Sequence, residues 1–178
     1  HGHNWREFLT EDGTPSSKLI VEGANLFLTP EARERLSAEG VTIIKDSSAN
    51  KCGVICSSLE VAACMLLEES DFMSIKDAFV DEVLDRLRQL ARSEALLLVS
   101  EHERHPCMPL PEISVRLSRV VNSVADAIEE GMESWSDVEK TMACTMVNDH
   151  FPNVLLEKVG EPVWEKLPKV YVARLIAS

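Results

Sequence analysis

The segment from Lys18 to Ala63 constrains the fold most, because its hydrophobic pattern changes from strand to helix and back within a short distance. Leu19-Ile20-Val21 is a continuous apolar run rich in β-branched residues, which is typical of a strand covered on both faces in a parallel sheet. Thr29-Pro30-Glu31 has the N-cap, the first-turn proline and the acidic residue of a helix start, and Gly40 ends that helix. The next strand is Val41 to Ile44. Strand, helix and strand with short links predict a parallel crossover.

The rest of the chain has helical periodicity after about Val54. Residues 54–67 predict a helix with small side chains on part of its surface, and residues 72–102 predict a long one. Further helices are predicted at 113–131 and from about 138, the latter capped by Ser134 or Ser136. Residues 153–178 are helical in pieces that Pro162 and Pro168 interrupt. The predicted fold class is α/β, the C-terminal part of a Rossmann-like parallel sheet followed by an all-helical region.

The composition excludes several classes of protein. Apolar residues make up 45% and charged residues 27% of the 178 residues, which is typical of a globular chain and not of a disordered one. The net charge of −12 argues against nucleic acid or an anionic membrane surface as a partner, because both require clustered Lys and Arg. No apolar run approaches the ~20 residues of a membrane-spanning helix.

The cysteines indicate a reducing compartment inside the cell, either the cytoplasm or the mitochondrial matrix. They are odd in number, and no signal peptide precedes them, so a disulfide framework is disfavoured. Cys52 and Cys56 lack a second Cys/His pair at ligand spacing, and we therefore expect no metal site.

The first residues predict no element of their own. His1-Gly2-His3 has the composition of a cloning tag, and residues 4–17 are polar with a turn signal at Asp12-Gly13-Thr14-Pro15. A natural domain seldom runs straight into an interior strand, so we expect the chain to be a piece of a longer protein.

Two asparagines follow the carboxyl ends of the predicted strands, where open α/β sheets bind ligands. Gly23 permits close approach of a bound group, and Asn25 offers both a donor and an acceptor. Asn50 follows the second strand. Each Asn also fits an Asx-turn that merely closes its strand. Because both are expected to point into one crevice, the pair favours a ligand.

Ser57 and Ser58 are predicted to open a helix after Gly53, where a hydroxyl beside free backbone N–H groups binds a carboxylate. Small residues chosen for packing are the alternative. Lys45 and Lys51 flank the second loop and fit either an anion site or a solvated surface. No Ser–His–Asp arrangement is supported.

The residues of this segment together resemble the glutamate dehydrogenase family. The resemblance is carried by Val21-Glu22-Gly23-Ala24-Asn25 with Thr29-Pro30-Glu31-Ala32, and by Asn50 with Gly53-Val54 and Ser57-Ser58-Leu59-Glu60. Lys45 to Lys51 is similar to the large-subunit, NAD-dependent branch. One departure is Cys52, where related enzymes carry a glycine.

The resemblance implies reversible oxidative deamination of L-glutamate to 2-oxoglutarate and ammonia, with hydride passed to NAD. It implies cofactor-binding roles for Gly23, Ala24, Asn25 and Asn50, with Asn25 at the nicotinamide-side ribose and Asn50 at the carboxamide. Ser57, with Val54 beside it, is implied to line the pocket for the substrate's side-chain carboxylate.

The remaining machinery of such an enzyme is absent from the sequence. There is no Gly-x-Gly-x-x-Gly loop, and no segment matches the family's catalytic Lys and Asp. We therefore expect no catalytic residue here, an inactive isolated chain that binds NAD weakly, and apolar surface exposed where further strands belong. The expected partners are L-glutamate or 2-oxoglutarate, the rest of the same subunit and identical subunits in a homo-oligomer.

The resemblance also predicts how the chain is divided into domains. Residues 1–17 are a tag or linker with a partial loop, 18–70 the C-terminal half of an NAD-binding Rossmann-like domain, and 71–178 a helical C-terminal region. A dehydrogenase for another amino acid and a non-catalytic helical module for interaction or oligomerisation are the alternatives.

Overall fold

A computed structural model describes residues 4–160 and 162–178, so the predicted tag at His1 to His3 lies outside the described residues. The chain divides into two compact units that interleave along the sequence. The first unit contains residues up to 54 together with 90–117, and the second contains 55–89 with 118–178.

The first unit contains the predicted strand–helix–strand segment. Strands β1 (Leu19–Val21) and β2 (Thr42–Ile44) pair in parallel, with Leu19 opposite Thr42. Helix α1 (Pro30–Ala38) joins them. Its predicted cap is confirmed, because the Ala32 N–H donates to Thr29 Oγ1 at 3.2 Å. Between α1 and β2 a cluster is buried that comprises Leu28, Ala32, Leu36, Val41 and Ile43.

The prediction that β1 is covered on both faces is wrong for this chain. Ile20 packs against the buried cluster, but Leu19 and Val21 are 51% and 56% exposed. Side chains of a strand alternate between faces, and among the described residues only one face of β1 has a layer packed on it. The expectation of exposed apolar surface beside the sheet is confirmed.

The segment before β1 contains more structure than its polar sequence predicts. Residues Asn4–Phe8 form a 3-10 helix, and Trp5, Phe8 and Leu9 pack against the buried cluster. The expectation of no usable element is therefore wrong, because three aromatic and aliphatic side chains among polar neighbours suffice to anchor a single turn. The predicted turn at Asp12 to Pro15 forms, with Gly13 at φ +82°.

The helices follow the predicted order with extended ends. Helix α2 is Asp46–Ala49, α3 is Lys51–Leu66, α4 is Glu69–Arg104 and α5 is Leu110–Gly131. After a 3-10 turn at Met132–Ser134 come α6 (Asp137–Asn148), α7 (Asn153–Val159), α8 (Val163–Lys166) and α9 (Lys169–Ala177). Helices α3, α4 and α5 each begin in one unit and end in the other.

Sequence signals at the helix ends are confirmed at several places. Ser136, and not Ser134, caps α6 in a reciprocal capping box with Glu139. Pro162 and Pro168 precede α8 and α9 as predicted breaks. The fold class is confirmed as a small parallel sheet of Rossmann-like character with helices after it, whereas the domain limits near residue 70 stay a prediction.

The helices of the second unit pack around one apolar core. It includes Leu59 and Ala63 of α3, Phe79 of α4, Leu155 of α7 and Val172 of α9. Short terminal helices become stable here because they bury apolar faces, since helices of this length are marginal in isolation.

Candidate functional site

The two asparagines predicted to share a crevice do meet within the first unit. Asn25 follows β1, and Asn50 occupies the junction between α2 and α3. Asn50 Nδ2 donates a hydrogen bond to Asn25 Oδ1. This contact uses one polar atom of each amide, and the remaining donor on Asn25 and acceptor on Asn50 form a complementary pair. The strand order thus brings the two side chains together, while their roles in binding stay predictions.

The loop after β1 presents its backbone to the surface. Gly23, Ala24 and Asn25 are exposed, and the Gly23 N–H donates to the Val21 carbonyl at 3.1 Å. A Cβ built on Gly23 has no heavy atom within 4 Å among its described neighbours. Packing inside this unit therefore does not require glycine here, and a bound group can approach closely. Leu26 has a φ of +54°, a left-handed conformation uncommon for leucine.

A buried ionic network lies beneath this loop. The Arg33 guanidinium donates from Nε to Glu22 Oε1 at 2.9 Å and from Nη2 to Glu22 Oε2 at 2.7 Å. The Asp46 N–H donates to Glu22 Oε2 at 3.0 Å, and Arg33 Nη2 lies 3.5 Å from Asp46 Oδ1. Asp46 Oδ2 in turn accepts from the Leu26 N–H at 2.8 Å. The network therefore links the loop after β1 to the turn after β2.

The charged forms of Asp46 and Arg33 are favoured in this network. Burial opposes the charged form of Asp46, but hydrogen bonds from Lys45 and from the backbone of Leu26 and Ser47 outweigh it and lower the pKa of Asp46 to about 2. The hydrogen bond with Glu22 is the main cause that raises the pKa of Arg33. A paired, bidentate geometry of this kind is what makes buried charges tolerable.

Sequence reasoning missed these network residues. Glu22 carried a usable signal, because a carboxylate directly after three apolar strand residues requires a buried partner. Arg33 and Asp46 carried no such signal, since a helical arginine and a turn aspartate are usually solvated. Their side chains become partners only when β1 and β2 lie side by side.

The helix that follows Asn50 begins earlier than predicted. Because α3 starts at Lys51, Ser57 and Ser58 lie in its second turn, and the interpretation that they open the helix is wrong. The first four N–H groups of this helix belong to residues 51–54, so the expected carboxylate-binding helix end is not at Ser57. Val54 is 68% exposed and Ser57 is exposed.

Ser58 has a distant partner within the second unit. Its Oγ donates to Tyr171 Oη at 2.8 Å, and Tyr171 Oη donates to the Ser58 carbonyl at 3.0 Å. Burial is the main cause that raises the pKa of Tyr171. The neutral phenol therefore fixes α9 against the helix that carries Ser57.

The two lysines that flank the second loop both contact acidic side chains. Lys45 Nζ donates to Asp46 Oδ1 at 2.6 Å, and Lys51 Nζ lies 3.4 Å from Glu94 Oε2, so neither is simply solvated. None of the five cysteines, all of which lie among the described residues, forms a disulfide. Within residues 4–160 and 162–178, no group of three His, Cys, Asp or Glu side chains is arranged to hold a metal ion. In the same ranges, no helix is both long and apolar enough to cross a membrane.

Comparison with known proteins adds to this geometry. The chain is 33% identical to an NAD-specific glutamate dehydrogenase of Neurospora crassa, over 96% of this chain and 17% of the relative. It is 34% identical to glutamate dehydrogenase 2 of Dictyostelium discoideum, over 98% of this chain and 18% of the relative. It is 30% identical to an NAD-specific glutamate dehydrogenase of Saccharomyces cerevisiae, over 96% of this chain and 17% of the relative.

The chain thus spans less than a fifth of the length of these curated relatives. No solved structure was found to match it. The model of the glutamate/leucine/phenylalanine/valine dehydrogenase family matches residues 9–109, which include β1, β2 and both asparagines. The chain belongs to the glutamate/leucine/phenylalanine/valine dehydrogenase family.

Proposed function

We propose that this chain is part of an NAD-dependent glutamate dehydrogenase, which converts L-glutamate, NAD and water to 2-oxoglutarate, ammonia and NADH. The observation that carries the proposal is the contact between Asn25 and Asn50, which meet beyond the carboxyl ends of two neighbouring parallel strands. Ligands of open α/β sheets bind at this edge. The names of the relatives support glutamate and NAD for the longer protein.

The polar groups of this edge fit a nicotinamide ribose. The amide NH2 group of Asn25 and the Oδ1 of Asn50 are not used in this contact, and such a donor and acceptor match a carboxamide or a pair of ribose hydroxyls. Gly23 and Ala24 leave exposed backbone beside them. We propose that Asn25 holds the ribose and Asn50 the carboxamide. NAD when bound supplies the hydride acceptor, and these side chains keep the ring oriented towards the substrate.

For the substrate we propose that Val54 and Ser57 line the pocket for the side-chain carboxylate of glutamate. Val54 supplies an exposed apolar wall, and Ser57 supplies a hydroxyl on the exposed surface of α3. Catalytic groups belong to the rest of the subunit. The isolated chain is accordingly inactive and binds NAD weakly, and micromolar affinity in a calorimetric titration of this chain would contradict that.

The test is the affinity for NAD of the full-length enzyme carrying Asn25→Ala or Asn50→Ala. Loss of one or two hydrogen bonds predicts a dissociation constant raised about 10-fold. The matched control is Asn122→Ala, which removes an exposed amide from α5 that contacts Arg174. Unchanged affinity in folded Asn25 and Asn50 variants would overturn the proposed cofactor site.

Amino-acid specificity needs a separate test, since the family also contains leucine, phenylalanine and valine dehydrogenases. We expect Ser57→Ala to raise the KM for glutamate while leaving the KM for NAD unchanged. Turnover of branched-chain substrates in preference to glutamate would assign the enzyme to another member of the family.

The proposal includes the setting of the full-length enzyme. We propose that it forms homo-oligomers and that it acts in the cytoplasm or the mitochondrial matrix. Five cysteines that form no disulfide with one another support a reducing compartment. Light scattering of the purified full-length enzyme measures its oligomeric state.

A further inference from the structure

A cluster of hydroxyl and charged groups encloses the backbone around Asn50. The Glu94 carboxylate, on α4, accepts from Ser48 Oγ at 2.9 Å through Oε1, and its Oε2 lies 3.4 Å from Lys51 Nζ. Ser114, on α5 and only 1% exposed, places its hydroxyl 2.7 Å from Ser48 Oγ. Glu94 thus contacts Ser48, two positions before Asn50, and Lys51, one position after it. This carboxylate therefore fixes the backbone on both sides of Asn50.

The hydroxyl groups of this cluster form a connected series of contacts. A serine hydroxyl has one proton, and Ser48 gives its proton to Glu94, so Ser48 is the acceptor in its contact with Ser114. Ser47 Oγ lies 3.1 Å from Ser114 Oγ, and Lys45 Nζ donates to Ser47 at 3.2 Å. The contacts thus run from an ammonium group to a carboxylate, and hydrogen bonds in such a network strengthen one another.

Glu94 and Ser114 are distant from Asn50 in the sequence but fold together with it. Glu94 and Ser114 lie in the segment 90–117, which belongs to the same compact unit as β1, β2 and Asn50. This segment also has its own buried apolar contacts among Leu98, Leu110 and Ile113, with Ile44 of β2 packed against them. Residues 90–104 of α4 and 110–117 of α5 thus support the turn after β2.

We propose that Glu94 and Ser114 are positioning residues that hold Asn50 at the orientation required for the nicotinamide carboxamide. This inference rests on the proposed function and extends it to residues that do not contact the cofactor themselves. Glu94 acts through Ser48 and Lys51, and Ser114 acts through Ser48. Removing either group frees the turn that carries Asn50 without removing the amide.

The test measures NAD binding and steady-state kinetics in the full-length enzyme carrying Glu94→Gln, Ser48→Ala or Ser114→Ala. Glu94→Gln loses the charge that faces Lys51, and Ser48→Ala and Ser114→Ala each lose two hydrogen bonds of the support. The KM and the dissociation constant for NAD should therefore rise about 2- to 10-fold, with the KM for glutamate unchanged. Ser48→Thr retains the hydroxyl and should restore affinity. Glu101→Gln, which removes a charge paired with Arg104 on the same helix, is the matched control.

A double-mutant cycle separates positioning from general stabilisation. In an Asn50→Ala background, Glu94→Gln should weaken NAD binding no further, because the amide that it positions is gone. An equal loss in both backgrounds, or no loss from Glu94→Gln and Ser48→Ala in the folded enzyme, would overturn the inference. Ser48 lies on a partly exposed turn, so its variant keeps the test valid if Ser114→Ala does not fold. Unchanged affinity in Asn50→Ala itself would instead overturn the proposed function.

Discussion

The first unit buries Glu22, Arg33, Asp46 and Ser114, and these are the buried polar or charged residues found among the described ranges. The second unit instead has a continuous apolar cluster around residues such as Leu155. Apolar burial is non-directional and proportional to area, whereas a buried ionic network works only if every member has its partner. The unit that carries the predicted cofactor loops therefore adds directional contacts to its smaller apolar clusters, whereas the helical unit depends mainly on packing.

The largest expected effect is Arg33→Met, which leaves the Glu22 carboxylate buried without its cation. Loss of one partner of a buried pair costs about 3–5 kcal/mol of unfolding free energy. Hydrogen exchange read by mass spectrometry should show faster exchange across residues 18–50 and none of that change across residues 143–176. The control is Arg35→Met, which breaks the exposed pair with Glu31 and the contact of the guanidinium with the Trp5 ring, and should cost far less. Equal acceleration in both segments would remove the distinction between the units.

The corresponding test of the second unit is Leu155→Ala. Leu155 is fully buried, and the cavity left by its side chain costs about 2–5 kcal/mol. Exchange should now accelerate across residues 143–176. Val138→Ala, at a position 70% exposed on α6, is the control and should be nearly neutral. An effect of Val138→Ala as large as that of Leu155→Ala would mean that other chains cover this surface.

Acid should destabilise the first unit through Asp46. Its pKa falls from 3.8 to about 2 on folding, so the unfolded state binds the proton more tightly. The resulting stabilisation is present above about pH 4 and is lost as the pH falls through 2, with a size of about 2 kcal/mol. Exchange rates corrected for intrinsic pH dependence, measured between pH 5 and 2, test this. In Asp46→Asn that part of the pH dependence should disappear, and a profile identical to wild type would contradict the assignment.

The smallest expected effect is Tyr171→Phe in the second unit. The variant removes the phenol that bonds both the hydroxyl and the carbonyl of Ser58, which costs about 1 kcal/mol. Faster exchange confined to α9 and the adjoining part of α3 would show that even the packed unit uses one directional contact. No change in either segment would make its stability a matter of packing alone.

The sequence predicts local elements better than distant contacts. The sequence identifies Thr29 as a helix cap and narrows the cap of α6 to Ser134 or Ser136, because such signals lie within one turn of chain. Leu19 and Val21 were assigned to a covered strand because a β-branched run does not reveal how many layers surround it. Ser57 was placed at a helix start because Gly53 looked like a break, yet glycine is tolerated within α3.

The residues of the candidate site likewise fall into two groups, those that the sequence predicts and those that it does not. Asn25 and Asn50 were predicted to meet, because parallel strands end at a common edge. Arg33, Glu94 and Ser114 were not identified, since their partners lie 11 to 67 positions away and helical charge or hydroxyl groups have no distinguishing pattern.

The interleaving of the two units has a consequence for how such a gene can be cut. No uninterrupted stretch of codons encodes either unit, because α3, α4 and α5 each pass from one to the other. A shortened version that stops after α3 retains Asn25 and Asn50 but discards the segment containing Glu94 and Ser114. Fusion or exchange experiments that treat the cofactor loops as a transferable cassette must therefore carry residues 90–117 with them.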